Sequence, residues 1–239
     1  MVAPKRGLIG SADSRSSEST STTMAAKQRV GILGSGDVAK QLGRGFAARG
    51  YDVMLGTRDP KKLEGWTKEA RGKVSVGSFA QAASHGELVV LATHGAATEA
   101  VLDQAGPKSF EGKLILDATN PLDFSKGAAP GLLFGVNDSL GERVQRKLGG
   151  ARVVKCFNTV GNGRMVDPKF EAGPARMWIC GNDAEAKRAV DAIVREFGWA
   201  GTLDVGGIDA ARWLEAMVPL WMRAGQALGT WEHVLQVHR

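Results

Sequence analysis

The chain has 239 residues, a hydrophobic content of 43% and a formal net charge of +6, enough for one large α/β domain with a small appendage. No apolar stretch approaches the roughly 20 residues needed to span a bilayer, and no Lys/Arg block is interleaved with aromatics as nucleic-acid surfaces require. No His/Cys/Asp/Glu cluster has metal-ligand spacing, so membrane, nucleic acid and metal are all unexpected partners.

Residues 1–26 read as a disordered leader. Ser11 to Thr23 is dominated by Ser and Thr and cannot bury enough apolar surface to offset its ordering entropy. Asp13 and Glu18 argue against a transit peptide, and Met24-Ala25-Ala26-Lys27 reads as a second start. An upstream extension or mis-assigned start is the expectation. The two cysteines, Cys156 and Cys180, lie in apolar runs, which suggests buried, reduced thiols and a cytoplasmic location.

The segment from Arg29 to Asp59 carries the most information. An apolar strand (Val30 to Leu33) leads into the turn Gly34-Ser35-Gly36-Asp37-Val38-Ala39, then a helix, then a second strand (Tyr51 to Leu55). This G-x-G-x-x-A turn inside a βαβ unit is a dinucleotide fingerprint. The first glycine permits the tight turn, the second lets backbone approach a pyrophosphate, and the small third residue lets helix and strand pack closely. The helix N-terminus offers free N–H groups to the anion. At the end of the second strand, where a NAD site would place an acid, the chain reads Leu55-Gly56-Thr57-Arg58. Thr57 and Arg58, with Lys61 or Lys62, suit a 2′-phosphate, so NADP(H) is the expected cofactor. Asp59 could be a ribose-binding acid, but Pro60 follows it, which favours a helix cap.

The strand–helix rhythm continues. Lys73 to Val76 is a third strand and Phe79 to Ser84 a short helix. Glu87 to Thr93 is a fourth strand, apolar as in a sheet buried on both faces. A helix near Ala96 to Gln104 and a fifth strand, Lys113 to Ala118, follow. Leu122 to Gly135 reads as a loop, Ser139 to Leu148 as a helix and Arg152 to Phe157 as the sixth strand. The fold class is therefore α/β, a Rossmann doubly wound parallel sheet with strand order 3-2-1-4-5-6 and a small C-terminal helical appendage. Residues 27–170 form the expected NADP-binding domain. Residues 171–239 form a small C-terminal α/β and helical region, with strands at Ala175 to Cys180 and Thr202 to Val205 flanking an amphipathic helix, Asp183 to Phe197. Ile208 to Val237 reads as helical, with Pro219 kinking or breaking it. Its stripe of Trp213, Leu214, Met217, Val218, Trp221 and Met222 reads as core or dimer contact rather than a substrate platform.

In open α/β sheets the ligand lies outside the carboxyl ends of the strands. Polar residues stand there repeatedly: Thr93 and His94, then Asn120 before Pro121, then Asn158 and Thr159. His94 has no visible carboxylate partner and is expected to contact cofactor rather than move protons. His85, His233 and His238 read as surface residues. No catalytic acid or base is assigned.

The segments VGILGSGDVAKQL and GTR, then DATNPL, VVKCFNTV, ICGND and RWLEAMVPLW, in that order, resemble the NADPH-dependent F420 reductase family (NADP oxidoreductase, coenzyme F420-dependent). The resemblance implies a compact protein, often a homodimer, that passes hydride directly between NADP(H) and a deazaflavin, coenzyme F420, or a flavin (FMN or FAD). It implies that Thr57 and Arg58 hold the NADP phosphate, Ser35 to Val38 the pyrophosphate, and that the ring cleft lies near His94, Asn120, Pro121, Asn158 and Thr159. Both partners carry their own redox chemistry, so the protein mainly aligns two rings. Two alternatives stand beside this reading. One is an NADP-dependent reductase of a small carbonyl or imine, although such enzymes carry a long helical domain after the sheet. The other is a non-enzymatic NADP-sensing module whose acceptor cleft is filled, by Trp221 or Trp231 for example.

Overall fold

The computed structural model describes residues 28–127 and 130–237. The expected disordered leader and His238 lie outside the described residues. Within them the first βαβ unit comprises β1 (Arg29–Leu33), α1 (Asp37–Ala48) and β2 (Asp52–Gly56). There follow α2 (Glu64–Glu69), β3 (Lys73–Gly77), α3 (Phe79–His85), β4 (Leu88–Leu91), α4 (Thr98–Ala105) and β5 (Leu114–Asp117). A two-stranded antiparallel ribbon, β6 (Leu122–Asp123) with β7 (Gly131–Leu132), then precedes α5 (Leu140–Lys147) and β8 (Arg152–Lys155). The chain continues through β9 (Met177–Gly181), α6 (Ala184–Glu196), β10 (Thr202–Asp204) and α7 (Ala211–Leu228).

Eight strands form one sheet in the order β10-β9-β8-β5-β4-β1-β2-β3. The first six sheet strands thus take the expected 3-2-1-4-5-6 order, all parallel. β9 joins β8 antiparallel and β10 pairs parallel with β9, so the two C-terminal strands extend the same sheet. Alternation along each strand sends side chains to two separate cores. Val30, Ile32, Val90, Leu116 and Val154 face the layer of α1 and α6, where Leu42, Phe46, Val190 and Val194 are buried. Leu33, Val89, Leu91, Ile115 and Val153 face the opposite layer, with Val101, Val144 and Leu214 from α4, α5 and α7.

Four local expectations change. The segment read as a loop after β5 contains the β6–β7 ribbon. Its attachment is non-local, since the Leu133 N–H donates to the Pro121 carbonyl at 2.8 Å. The C-terminal helix ends at Leu228, and Pro219 lies inside it without ending it. Proline removes one backbone bond, but Leu214, Val218 and Trp221 pack on either side of it and hold the helix to the body. Beyond Gly229 the tail returns as a strap: Val234 bridges Val160, and the Trp178 indole donates to the Leu235 carbonyl at 3.0 Å. His85 is half-buried rather than a surface residue, with Nε2 3.1 Å from the Asp52 carbonyl. His233, also expected at the surface, is partly buried and stacks on Trp221, ring centroids 4.8 Å apart.

One glycine fixes the close seating of α3 on β1. A Cβ on Gly31 would lie 2.0 Å from the Ala82 carbonyl oxygen, so only a shift of helix from sheet would admit it. Gly31→Ala is expected to cost about 1–3 kcal/mol, read as a lowered urea midpoint with an unchanged slope. A midpoint equal to that of the unmodified chain would show that the helix moves away at no cost.

Candidate functional site

The site begins at the turn between β1 and α1. Gly34 adopts φ +142°, and a Cβ there would lie 2.3 Å from the Ala92 carbonyl oxygen, so the turn both needs glycine and is pressed against the end of β4. Gly36 is the opposite case: it caps α1 at φ −78°, and a Cβ there would meet nothing within 4 Å. The space beside it is open for a ligand. No side chain caps the helix, so its first-turn N–H groups are left to solvent or to an anion. Ser35 and Val38 are half-buried, Ala39 is buried, and Asp37 is exposed in the first turn. An acid in that position can serve an anion only through its backbone N–H.

Gly34, Ser35 and Gly36 share a groove of about 260 Å³ with Thr57, Arg58, Asp59, Lys62, Thr93 and His94. The roles within the β2 end divide. Thr57 is buried, and its Oγ1 accepts the Asp59 N–H at 3.1 Å, so its hydroxyl shapes the turn. Asp59 caps the following helical turn, its carboxylate accepting the Lys61 N–H at 3.2 Å with Pro60 in the first position. The cap reading of Asp59 therefore holds. Arg58 and Lys62 are exposed on the groove. Among the described residues neither has an ion-pair partner, so both cations face the groove uncompensated.

At the other end, Thr93 Oγ1 lies 2.8 Å from Thr98 Oγ1, which ties the β4 end to α4. His94 is exposed. Gly95 lies so near the next strand end that a Cβ would be 2.0 Å from the Asn120 carbonyl oxygen. The β4 and β5 ends are thus contiguous. Asn120 and Asn158 hold one another: Asn120 Nδ2 donates to the Asn158 carbonyl at 2.8 Å, and Asn158 Nδ2 donates to Asn120 Oδ1 at 3.0 Å. Asn158 Nδ2 also donates to the Leu214 carbonyl of α7 at 3.0 Å. Asn158, Thr159 and Pro121 are buried while Asn120 is partly open. The groove at the glycine turn reaches Thr93 and His94, and its lining does not include Asn120, Pro121, Asn158 or Thr159. Trp221 and Trp231, ring centroids 5.7 Å apart, pack on each other and line neither this groove nor the one beside α7.

Beneath these asparagines lies a cluster that sequence reading missed. Asp117 and Lys155 are register partners on β5 and β8, so their side chains leave the same face of the sheet. Both are fully buried, with Nζ 3.0 Å from Asp117 Oδ2, and Nζ is also 2.7 Å from Glu215 Oε1 of α7. Lys155 donates further to the Thr119 carbonyl at 2.8 Å. Further hydrogen bonds satisfy most of the cluster, while Asp117 Oδ2 has only its contact with Lys155. Asp117 Oδ1 accepts from the Thr119 N–H and hydroxyl. Glu215 accepts the Leu140 and Gly141 N–H groups at the start of α5, each at 2.9 Å. Burial alone would lower the Lys155 ammonium, but the charges of Asp117 and Glu215, with their hydrogen bonds, raise it above the usual lysine value. The signal was present in the runs LILD and VVK, where a charged residue takes an inward position of a buried strand. A lone strand, however, gives no sign of the opposite charge beside it. The same burial raises the Cys156 thiol and pushes Cys180, the β9 partner of Lys155, up to about 12.

The sequence profile of the family described as NADP oxidoreductase, coenzyme F420-dependent, matches residues 29–121. A crystal structure from Arthrobacter sp. FB24, whose assignment as an F420-dependent NADP reductase is provisional, is 38% identical with a TM-score of 0.85, covering 89% of this chain and 100% of that one. The F420-dependent NADP reductase of Methanocaldococcus jannaschii is 27% identical over 206 residues, 80% of this chain and 90% of its own length. Metalloreductase STEAP3 of Rattus norvegicus is 28% identical over 204 residues, 81% of this chain. The chain spans only 38% of that metalloreductase.

Removing Lys155 would strand two buried carboxylates. Lys155→Met is expected to lose about 3–5 kcal/mol. Because the folded-state lysine is raised, its contribution is fully present below the unfolded lysine value near pH 10.4. It fades only as pH rises through the higher folded value. Chemical denaturation of both proteins from pH 7 to 9.5 should therefore give a constant gap; a gap that shrinks across that range contradicts the assignment. In the native protein both thiols should resist iodoacetamide at pH 8 and become labelled on adding denaturant.

Proposed function

The chain belongs to the family of coenzyme F420-dependent NADP oxidoreductases, and from that footing we propose that it binds NADPH along the carboxyl edge of the sheet and passes its hydride to a deazaflavin or flavin ring. One observation carries the donor half: a single groove holds the uncapped start of α1 and the two uncompensated cations Arg58 and Lys62. The Gly36 space and the first-turn N–H groups receive the pyrophosphate, a fit supported by the absence of any atom where a Cβ would stand. Arg58 and Lys62 bind the 2′-phosphate, while Thr57 holds the turn that presents Arg58.

Thr93 and His94, which line the groove, with Asn120 at the adjoining strand end, would border the nicotinamide. The two redox groups supply the hydride chemistry themselves, with transfer from nicotinamide C4 to the acceptor ring. The protein's part is alignment. The mutual Asn120–Asn158 bonds and the anchor to Leu214 hold the β5 and β8 ends at one spacing. Preorganisation of that kind supplies rate by holding two rings in contact, and no acid or base is required.

The reading includes a homodimer. Trp213, Leu220 and Leu228 on α7 are each more than 60% exposed, and a helix face of that character suits a second copy of the chain.

Two measurements test this. Arg58→Ala should weaken NADPH binding about 10- to 100-fold, the scale of a charge-assisted contact of roughly 1.5–3 kcal/mol, and leave NADH nearly unchanged. Equal losses for both would remove the phosphate assignment. Stopped-flow oxidation of bound NADPH with coenzyme F420, FMN and FAD tests the acceptor class, and oxidation by none of them would overturn it. For the dimer, light scattering of Trp213→Asp should report a monomer where the unmodified chain reports a dimer.

A further inference from the structure

A second groove, of about 310 Å³, lies between the β6–β7 ribbon and the C-terminal half of α7. It falls within the usual range for small-ligand sites. Its walls are apolar, from Pro130, Pro219 and Met222, and two cations stand on it, Lys126 and Arg223. Both cations are exposed, and among the described residues neither forms an ion pair. Asp123 is the nearby acid. Its carboxylate is held low by hydrogen bonds from Ser125, whose N–H lies at 2.9 Å, and then by the Lys126 charge, so it stays ionised and offsets part of Lys126, but it does not line the groove. The groove therefore suits an elongated, partly apolar chain ending in an anion.

Its position relative to the donor groove gives that chain an identity. The ribbon leaves the sheet directly after Asn120 and Pro121, and is tied back by Leu133 to the Pro121 carbonyl. On the other wall, α7 is anchored at Leu214, whose carbonyl accepts from Asn158. The side of the site at Asn120 and Asn158 is thus where the ribbon and α7 both start. Arg223 lies nine residues further along α7, about two and a half turns and roughly 13 Å. A ring seated beside Asn120 would direct a side chain of several bonds along this groove to Lys126 and Arg223.

We propose that this groove binds the phosphorylated side chain of the hydride acceptor, with Lys126 and Arg223 holding the phosphate. The inference rests on the reading of the site as one that reduces a deazaflavin or flavin. The ligand class is a tricyclic ring whose polyol side chain carries a phosphate. A phosphate so held would fix the acceptor ring from its far end while the asparagine pair borders its near end, so binding energy remote from the reacting atoms is used for alignment.

Matched ligands that differ only in the phosphate test the proposal: riboflavin against riboflavin 5′-phosphate, and 5-deazariboflavin against its 5′-phosphate. Binding is followed by fluorescence in the presence of NADP+, and reduction by stopped flow with NADPH. The phosphorylated member of each pair should bind at least about tenfold tighter, the scale of one charge-assisted phosphate contact, with an advantage that shrinks as salt rises. In Lys126→Ala/Arg223→Ala the advantage should fall toward one, with affinity for the unphosphorylated rings and for NADPH retained; Arg223→Lys should keep part of it. Equal binding of both members by the unmodified chain overturns the groove assignment, and if both are still reduced the hydride-transfer reading survives. Preferential binding of the phosphorylated members without their reduction upholds the groove and removes hydride transfer. Failure of all four rings to bind overturns both.

Discussion

Lys155 is buried between Asp117 and Glu215, and the arrangement of the site follows from that contact. Transfer of three charged groups out of water is costly, and such clusters are seldom a net source of stability relative to a packed apolar alternative. Their effect is to make one arrangement far better than its neighbours. Here the lysine comes from β8, one carboxylate from β5 and the other from α7, while the α7 carboxylate also takes two N–H groups at the start of α5. A slip of α7 by one residue would leave Glu215 and the start of α5 unpaired inside the protein and strip Lys155 of one of its two carboxylates. The cluster thus sets where α7 begins. The Leu214 carbonyl, next to Glu215, is then in place to accept from Asn158.

From this the two halves of the site differ in how they are built. The donor half is local: turn, helix start and the end of β2 lie within one βαβ unit, and their geometry follows from glycine conformation, helix polarity and a threonine–aspartate turn. The half proposed for the acceptor is assembled across the chain, from the ribbon after β5, the β8 end and α7. Its spacing depends on the buried ions and on a strap of tail residues that returns to β9 through Leu235 and to Val160 through Val234. Among the described residues, cations that form no ion pair stand in both halves. Arg58 and Lys62 stand at one end and Lys126 and Arg223 beside α7, as the proposed donor and acceptor, both anionic, would require.

Much of the fold was legible in the amino-acid order because each signal was short-range. Apolar runs such as ELVVLAT can be satisfied only by a strand covered on both faces. The glycine turn and the Asp59-Pro60 cap rest on backbone preferences of neighbouring residues. The polar strand ends at His94 and Asn120 were recognisable as an edge. Which of them are open and which are sealed was not, since Asn158 and Thr159 are covered by elements distant in sequence.

By itself, then, the order of residues determined the βαβ unit, the strand succession, the dinucleotide turn and the absence of an acid at the ribose position, because these depend on local conformation and side-chain charge. Only the tertiary structure decided that Asp117, Lys155 and Glu215 meet, that α7 passes through Pro219 and stops at Gly229, and that a ribbon rises opposite it to make a second, cationic groove. Those outcomes depend on charge pairing and packing between segments separated by tens of residues. No local pattern records the partner that a buried charge will find.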